Sequence, residues 1–333
     1  MSQLASQIVS GDRAALARAI TLIESTRDDH QREAQALLTE LLPKTGHSVR
    51  IGITGAPGVG KSTFIEAFGL YVIEQSHKVA VLAIDPSSSK TGGSILGDKT
   101  RMAKLSQHDH AYIRPSPTGG SLGGVARRTR EGMLLAEAAG YDVVIVETVG
   151  VGQSETEVAD MVDMFLLMLL PGSGDELQGI KKGIVELADL IVVNKADGDL
   201  KAQAKRVRTD YSAALRMLHP PLTSPPQAGG KEGGNWQPKA VTCSALLGEG
   251  IADIWQSVQE FTKAVKDSGE LPRRRAHQSV AWMWKEIRET LLTRFEQHPK
   301  VAAQIGAMEK AVASGTLAPT EAAMELIGLA GKV

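Results

Sequence analysis

One run of eight residues restricts the fold of this chain more than any other: Gly55-Ala56-Pro57-Gly58-Val59-Gly60-Lys61-Ser62. It reads G-x-x-x-x-G-K-S, the pattern of a phosphate-binding loop. The flanks suit it. Val49 to Thr54 is a short, β-branched strand candidate, and from Thr63 onward Phe64, Ile65, Phe68 and Val72 recur at helical spacing. A strand, a glycine turn and a helix start aim backbone N–H groups at phosphate oxygens. In that geometry Lys61 reaches β- and γ-phosphates and the Ser62 hydroxyl ligates Mg²⁺.

The chain has 333 residues, which gives room for one large domain with extensions. Its net charge of −1 offers no electrostatic argument for nucleic acid or an anionic membrane as partner. Cys243 is the only cysteine, so no intramolecular disulfide and no cysteine-cluster metal site are expected. The eight histidines do not cluster at ligand spacing, so no zinc site is expected either. The most apolar run, Met161 to Leu170, is too short to span a bilayer and contains Asp163. No secretory signal is read at the start, and a cytoplasmic protein is expected.

Residues 1–46 read as a helical extension. Asp12 can cap a helix carrying Leu16, Ile20 and Ile23, and Ala34, Leu37, Leu38, Leu41 and Leu42 share one side of a second. From 47 to 267 strand and helix patterns alternate. Strands are expected at 49–54, 78–84, 110–114, 142–147, 162–169, 189–194 and 239–243, and helices at 61–76, 122–139, 175–188, 199–218 and 250–267. Several strands are continuous apolar runs, as in a mostly parallel sheet covered by helices on both faces. Residues 219–238 are rich in Pro and Gly and read as a mobile surface loop. Pro272 is expected to stop the preceding helix, and Arg273-Arg274-Arg275 to form a solvated hinge. Residues 268–333 then read as a helical arm with an apolar stripe of Ala281, Trp282, Trp284, Ile287, Leu291, Leu292 and Phe295. That stripe needs a cover, either the chain's own core or a second subunit, and dimerisation is the favoured reading.

Three further stretches bear on chemistry. Asn194-Lys195-Ala196-Asp197 follows the strand Leu190 to Val193 and reads N-K-x-D. The Asp197 carboxylate can accept from guanine N1–H and the exocyclic amine, two donors that adenine does not offer in that arrangement. Asn194 can donate toward the purine or tie its loop to the phosphate loop, and the Lys195 stem can lie over the base. In Thr242-Cys243-Ser244-Ala245-Leu246 the backbone N–H groups of Ser244 and Ala245 are expected to meet guanine O6. Glu147-Thr148-Val149-Gly150 ends another strand, where a carboxylate can hold Mg²⁺ and the Gly150 amide can sense a γ-phosphate. Asp85 ends the strand before it and is a second metal-ligand candidate. Asp98 is either a ligand or the cap of a helix at 99–105. Gln153 is a weak candidate for positioning the attacking water. The Gly-rich and basic stretches 119–130 and 171–183, the latter with Lys181 and Lys182, are candidate switch or partner surfaces.

Together GAPGVGKSTF, AIDPSSSKTGGSILGDKTRM, ETVGVGQSE, VVNKADGD and TCSALLGEG resemble the MeaB/ArgK family, in the metallochaperone-like branch of the SIMIBI class of P-loop GTPases. The resemblance covers most of the chain. It implies a homodimeric GTPase, using GTP, GDP and Mg²⁺, that binds an adenosylcobalamin-dependent acyl-CoA mutase, gates its cofactor loading and protects it from inactivation. No cobalamin site is evident in the chain itself. Methylmalonyl-, isobutyryl- and ethylmalonyl-CoA mutases all stay open as clients. A nickel-type metal-insertion GTPase is the alternative, and would normally show a His-rich or Cys/His site. An arginine/ornithine transport kinase, an older label for the family, is discounted because no protein-kinase catalytic loop is visible.

Overall fold

The computed structural model describes residues 1–84, 102–116, 122–148, 154–172, 182–219 and 236–331, without the side chains of 115–116, 122–124, 154 and 182. The chain forms two compact units, Met1–Arg275 and Ala276–Val333.

The first unit opens with helices α1 (Gln3–Val9), α2 (Arg13–Glu24) and α3 (Asp28–Leu41). The Asp12 carboxylate accepts from the Ala14 and Ala15 N–H groups, satisfying donors that the first turn of α2 leaves open. Leu16, Ile20, Ile23, Leu37, Leu38 and Leu41 are buried, but Leu42 is not. It starts a short 3₁₀ turn with Pro43, and this rotates it off the apolar stripe on which the sequence placed it.

Next come β1 (Val49–Gly55), α4 (Lys61–Glu74), β2 (Val79–Ile84), α5 (Ala103–Gln107), β3 (Ala111–Ser116), α6 (Leu122–Ala138), β4 (Val143–Thr148), α7 (Ser154–Ala159), β5 (Met164–Leu169), α8 (Lys182–Leu187), β6 (Leu190–Val193), α9 (Lys201–Leu218), β7 (Lys239–Thr242) and α10 (Ile251–Asp267). The strands form one seven-stranded sheet in the order β3-β2-β4-β1-β5-β6-β7, and every pairing is parallel. Each of the seven expected strands is found. Fully buried β2, β4, β5 and β6 explain their continuous apolar runs: neither face meets water. Phe64, Phe68, Trp255 and Phe261 fill the core on one face, and Val207, Tyr211 and Leu215 of α9 the core on the other.

Ile53 of β1 lies between Glu147 of β4 and Leu166 of β5. The chain winds outward from β1 in both directions, so the crevice for a ligand is at the carboxyl ends of these strands. The phosphate loop, Glu147, the 194–197 run and the 243–246 run all sit at that edge.

The expected helix 175–188 is described only from Lys182, and the loop reading of 219–238 falls mostly on residues 220–235, outside the described residues. The break before the arm is not at Pro272. It lies at Gly269, with φ +70°, and Pro272 stands in the first turn of helix α11 (Glu270–Gln297). Proline is tolerated there because the N–H it lacks has no acceptor within the helix.

Arg273 is exposed, but Arg274 and Arg275 are not a solvated hinge. The Arg275 guanidinium is paired with both oxygens of Asp163, Nε at 2.8 Å and Nη2 at 2.6 Å, and donates to the Gly46 and Ser48 carbonyls. Asp163 also accepts from the Arg50 N–H of β1. Beside it Arg50 forms a two-pronged ion pair with Glu137 of α6, at 2.7 and 2.9 Å. Burial works to raise the Glu137 carboxyl, but Arg50, Ser48 and the Gly46 N–H outweigh it and hold it below the usual range. Arg274 donates to the Asp163 carbonyl and lies over the Phe261 ring.

The second unit contains the rest of α11, then α12 (Pro299–Ala313) packed against α13 (Pro319–Ala330). Val280, Trp284, Ile287 and Leu291 recur at helical spacing along α11 and are exposed, Trp284 by 53 %.

Candidate nucleotide site

The phosphate loop needs glycine at position 60. Its φ is +95°, and a Cβ there would stand 2.7 Å from Asn194 Nδ2. The loop therefore passes directly over the side chain that starts the N-K-x-D run. Gly60 is the N-terminal cap of α4, and its carbonyl accepts from the Phe64 N–H. Lys61, the first residue of α4, is buried, and its Nζ donates to the Gly55 carbonyl at 2.7 Å and the Ala56 carbonyl at 3.3 Å. The ammonium thus closes the loop on itself, where Pro57, Gly58 and Val59 form the bend. Burial lowers its pKa, and the charges of Glu147 and Glu155 oppose that shift. Ser62 Oγ lies 3.5 Å from Glu147 Oε1, and Thr63 faces solvent.

Asn194 joins three segments. Its Nδ2 donates to the Val59 carbonyl at 2.9 Å, and its Oδ1 accepts from the Ala245 N–H at 3.0 Å and the Cys243 thiol at 3.4 Å. Of the two roles the sequence allowed for Asn194, the structure has it tying its loop to the phosphate loop. The Ala196 N–H donates to the Cys243 carbonyl at 2.9 Å, which locks the 194–197 and 243–246 runs together. The Ser244 hydroxyl donates to Asp197 and accepts from the Leu247 N–H. Lys195 is exposed with φ +57°, and Leu246 is 79 % exposed. The N–H groups of Ser244 and Ala245 are already engaged, with the Glu249 carbonyl and Asn194 respectively. Contact with a base oxygen requires the Ala245 N–H to be shared or to swing away from Asn194.

Burial pushes the Cys243 thiol up to about 12. It serves as a donor and packing group, not a nucleophile.

Asp85, Asp98, Gly150, Gln153 and Lys181 lie outside the described residues, and so does the side chain of Lys182. Two features of the site were not singled out from the sequence. Thr148 donates to Thr54 at 2.9 Å in the interior beneath the phosphate loop, and Glu155 is a second buried carboxylate acting on Lys61. The signal for Glu155 was its place three residues before Val158, one helical turn away.

A sequence model of the family described as "Methylmalonyl Co-A mutase-associated GTPase MeaB" matches residues 16–300. GTPase ArgK of Escherichia coli K12 is 52 % identical over 282 residues, covering 85 % of this chain and 82 % of that protein. The mitochondrial methylmalonic aciduria type A homolog of Mus musculus is 48 % identical over 333 residues, covering 97 % of this chain and 78 % of that protein. A crystal structure titled LAO/AO transport system kinase is 40 % identical, with a TM-score of 0.75 over 99 % of this chain and 97 % of that one. A phosphate loop tied through one asparagine to an N-K-x-D run, in a chain matched by that model and these relatives along nearly all its length, belongs to the methylmalonyl Co-A mutase-associated GTPase family, MeaB.

Proposed function

We propose that this chain binds GTP with Mg²⁺ at the carboxyl edge of its sheet, hydrolyses it to GDP and phosphate, and serves as a chaperone of an adenosylcobalamin-dependent acyl-CoA mutase. The observation that carries the GTP site is the Asn194 hub, because it brings a phosphate loop and a guanine-type loop into one constellation. In this reading the residues from Gly55 to Thr63 hold the phosphates. Lys61 turns from its own loop carbonyls to the β- and γ-phosphates. Asp197 reads guanine N1–H and the amine, the Lys195 stem and Leu246 flank the base, and Gly150 senses the γ-phosphate.

Mg²⁺ fits the residues present. Ser62 and Glu147 supply hard oxygens from two elements, and their 3.5 Å separation is close to the spacing of about 3 Å between adjacent ligands of an octahedral ion. Asp85 and Asp98 are further candidates for that ion. Bound there, it would offset charge on the phosphate oxygens.

The family description, which names methylmalonyl-CoA mutase, supports that enzyme as the client; gated cofactor loading and protection from inactivation are the service that the resemblance implies. The exposed stripe of α11 supports a homodimer through the second unit, and a monomer mass by light scattering at micromolar concentration would remove that element.

The 171–183 stretch, whose Lys182 starts α8, is assigned the coupling to the mutase through Lys181 and Lys182. With both lysines changed to alanine, basal turnover and GTP affinity should stay nearly unchanged. Stimulation of turnover by the mutase should fall about tenfold, roughly 1.4 kcal/mol of coupling. Hydrolysis measured with and without methylmalonyl-CoA mutase tests this. No stimulation of the wild type removes the client, and equal stimulation of both proteins removes the two lysines.

A further inference from the structure

The hydrogen bonds around Asn194 hold a conflict that a bound base must resolve. Asn194 Oδ1 has two donors, the Ala245 N–H at 3.0 Å and the Cys243 thiol at 3.4 Å. An amide oxygen has two lone pairs, so both are in use. The amide cannot be turned around, because its Nδ2 donates to the Val59 carbonyl at 2.9 Å. Asn194 is buried, so an acceptor left open there is not made good by bulk water. Two N–H groups stand where a base oxygen is expected. That of Ser244 is held by the Glu249 carbonyl at 2.9 Å, backbone to backbone. The Ala245 N–H is bound instead to a side chain that has a second donor, so it is the one that can be released.

That second donor is fixed in place. The Cys243 N–H donates to the Val193 carbonyl and the Cys243 carbonyl accepts from the Ala196 N–H, both at 2.9 Å. Gly250, the cap of α10 with φ +77°, lies against it: a Cβ there would stand 3.2 Å from Cys243 Cα and 3.3 Å from Cys243 Cβ. Burial keeps the thiol protonated at neutral pH, so it is always a donor. We propose that Cys243 is a positioning residue for guanine recognition: its thiol keeps Asn194 Oδ1 satisfied when the base oxygen takes the Ala245 N–H. Asn194 then holds the phosphate loop through Val59 in the empty and the loaded site alike, and the base is bound without orphaning a buried acceptor. This rests on the reading of the site as one for guanine nucleotide.

The test is the infrared S–H stretching band of the full chain, which has a single cysteine, recorded with and without GDP and Mg²⁺. When the thiol becomes the remaining donor to Asn194 its hydrogen bond strengthens, and the band is expected to move to lower frequency. A thiol that only packs leaves the band where it was. Titration with fluorescent N-methylanthraniloyl-GDP supplies a second readout. Cys243→Ser keeps a donor and should bind within about threefold of wild type. Cys243→Ala leaves Asn194 Oδ1 with one donor to share and should bind about tenfold more weakly. Lost sulfur packing would weaken the two variants alike. The band is read on wild type, so it decides the matter where a variant does not fold. Wild type that binds GDP with the band unmoved or raised overturns the role of Cys243 alone, and so do folded Ser and Ala variants that bind equally. Wild type that fails to bind GDP overturns the nucleotide site and this inference with it.

Discussion

Lys61→Ala is expected to cut GTP turnover at least about 100-fold, the scale of losing one preorganised donor to developing charge. The lysine is the first residue of α4, so its position is fixed by the helix start and not by a loose loop. In the resting site its Nζ has two carbonyl partners in its own loop, and reaching phosphate requires it to exchange them for oxygens that carry charge. Alanine removes the charge that would meet the β- and γ-oxygens, and also leaves the Gly55 and Ala56 carbonyls without this donor. The second effect makes the loop less ordered and should appear as weaker GDP binding. A single-turnover measurement at saturating GTP separates the two, because only the first survives saturation. Unchanged turnover would refute the phosphate-loop role itself.

Asp197→Asn should lose about 100-fold to 10,000-fold in GTP affinity, since two hydrogen bonds to a charged acceptor, each about 1.5–3 kcal/mol, are lost or inverted. Xanthosine triphosphate should gain, because its C2 oxygen can accept from the new amide. The surroundings tolerate the change. The Ser244 hydroxyl that now donates to Asp197 can keep donating to the amide oxygen, so the loop should hold its shape. Competition titrations with GTP, xanthosine triphosphate and ATP read the outcome. Wild type that takes ATP as tightly as GTP would unseat Asp197 as the base reader.

What the sequence made legible was what depends on neighbours in sequence. The strands of the sheet stood out because runs such as Val79 to Ile84 are buried on both faces, and Asp12 stood out because a cap sits beside the N–H groups it serves. The phosphate loop and the 194–197 run each carried enough local chemistry to be read alone. The bond between them was one of two roles open to Asn194, and its partners at Val59 and Ala245 lie far off in sequence. Long-range partnership also explains the misreading of Arg274 and Arg275. Three adjacent cations beside a proline resemble a linker until Asp163 is placed against the last two by the fold of β5. Leu42 failed for a local reason, because the 3₁₀ turn that starts at Leu42 and contains Pro43 takes it off the apolar stripe.

The clamp between Asp163 and Arg275 has a consequence for how the protein is made. The two residues are 112 positions apart, and Asp163 is buried at the start of a central strand. At a synthesis rate of about 5–20 residues per second, the carboxylate leaves the ribosome roughly 6–20 s before its arginine does. Over that interval β1 and β5 can pair, but the charge at their base lacks its cation, and a buried carboxylate so left is costly. The nucleotide unit of a nascent chain is therefore expected to stay open at its base, a client for holding factors, until the second turn of α11 emerges with Arg275 and closes it.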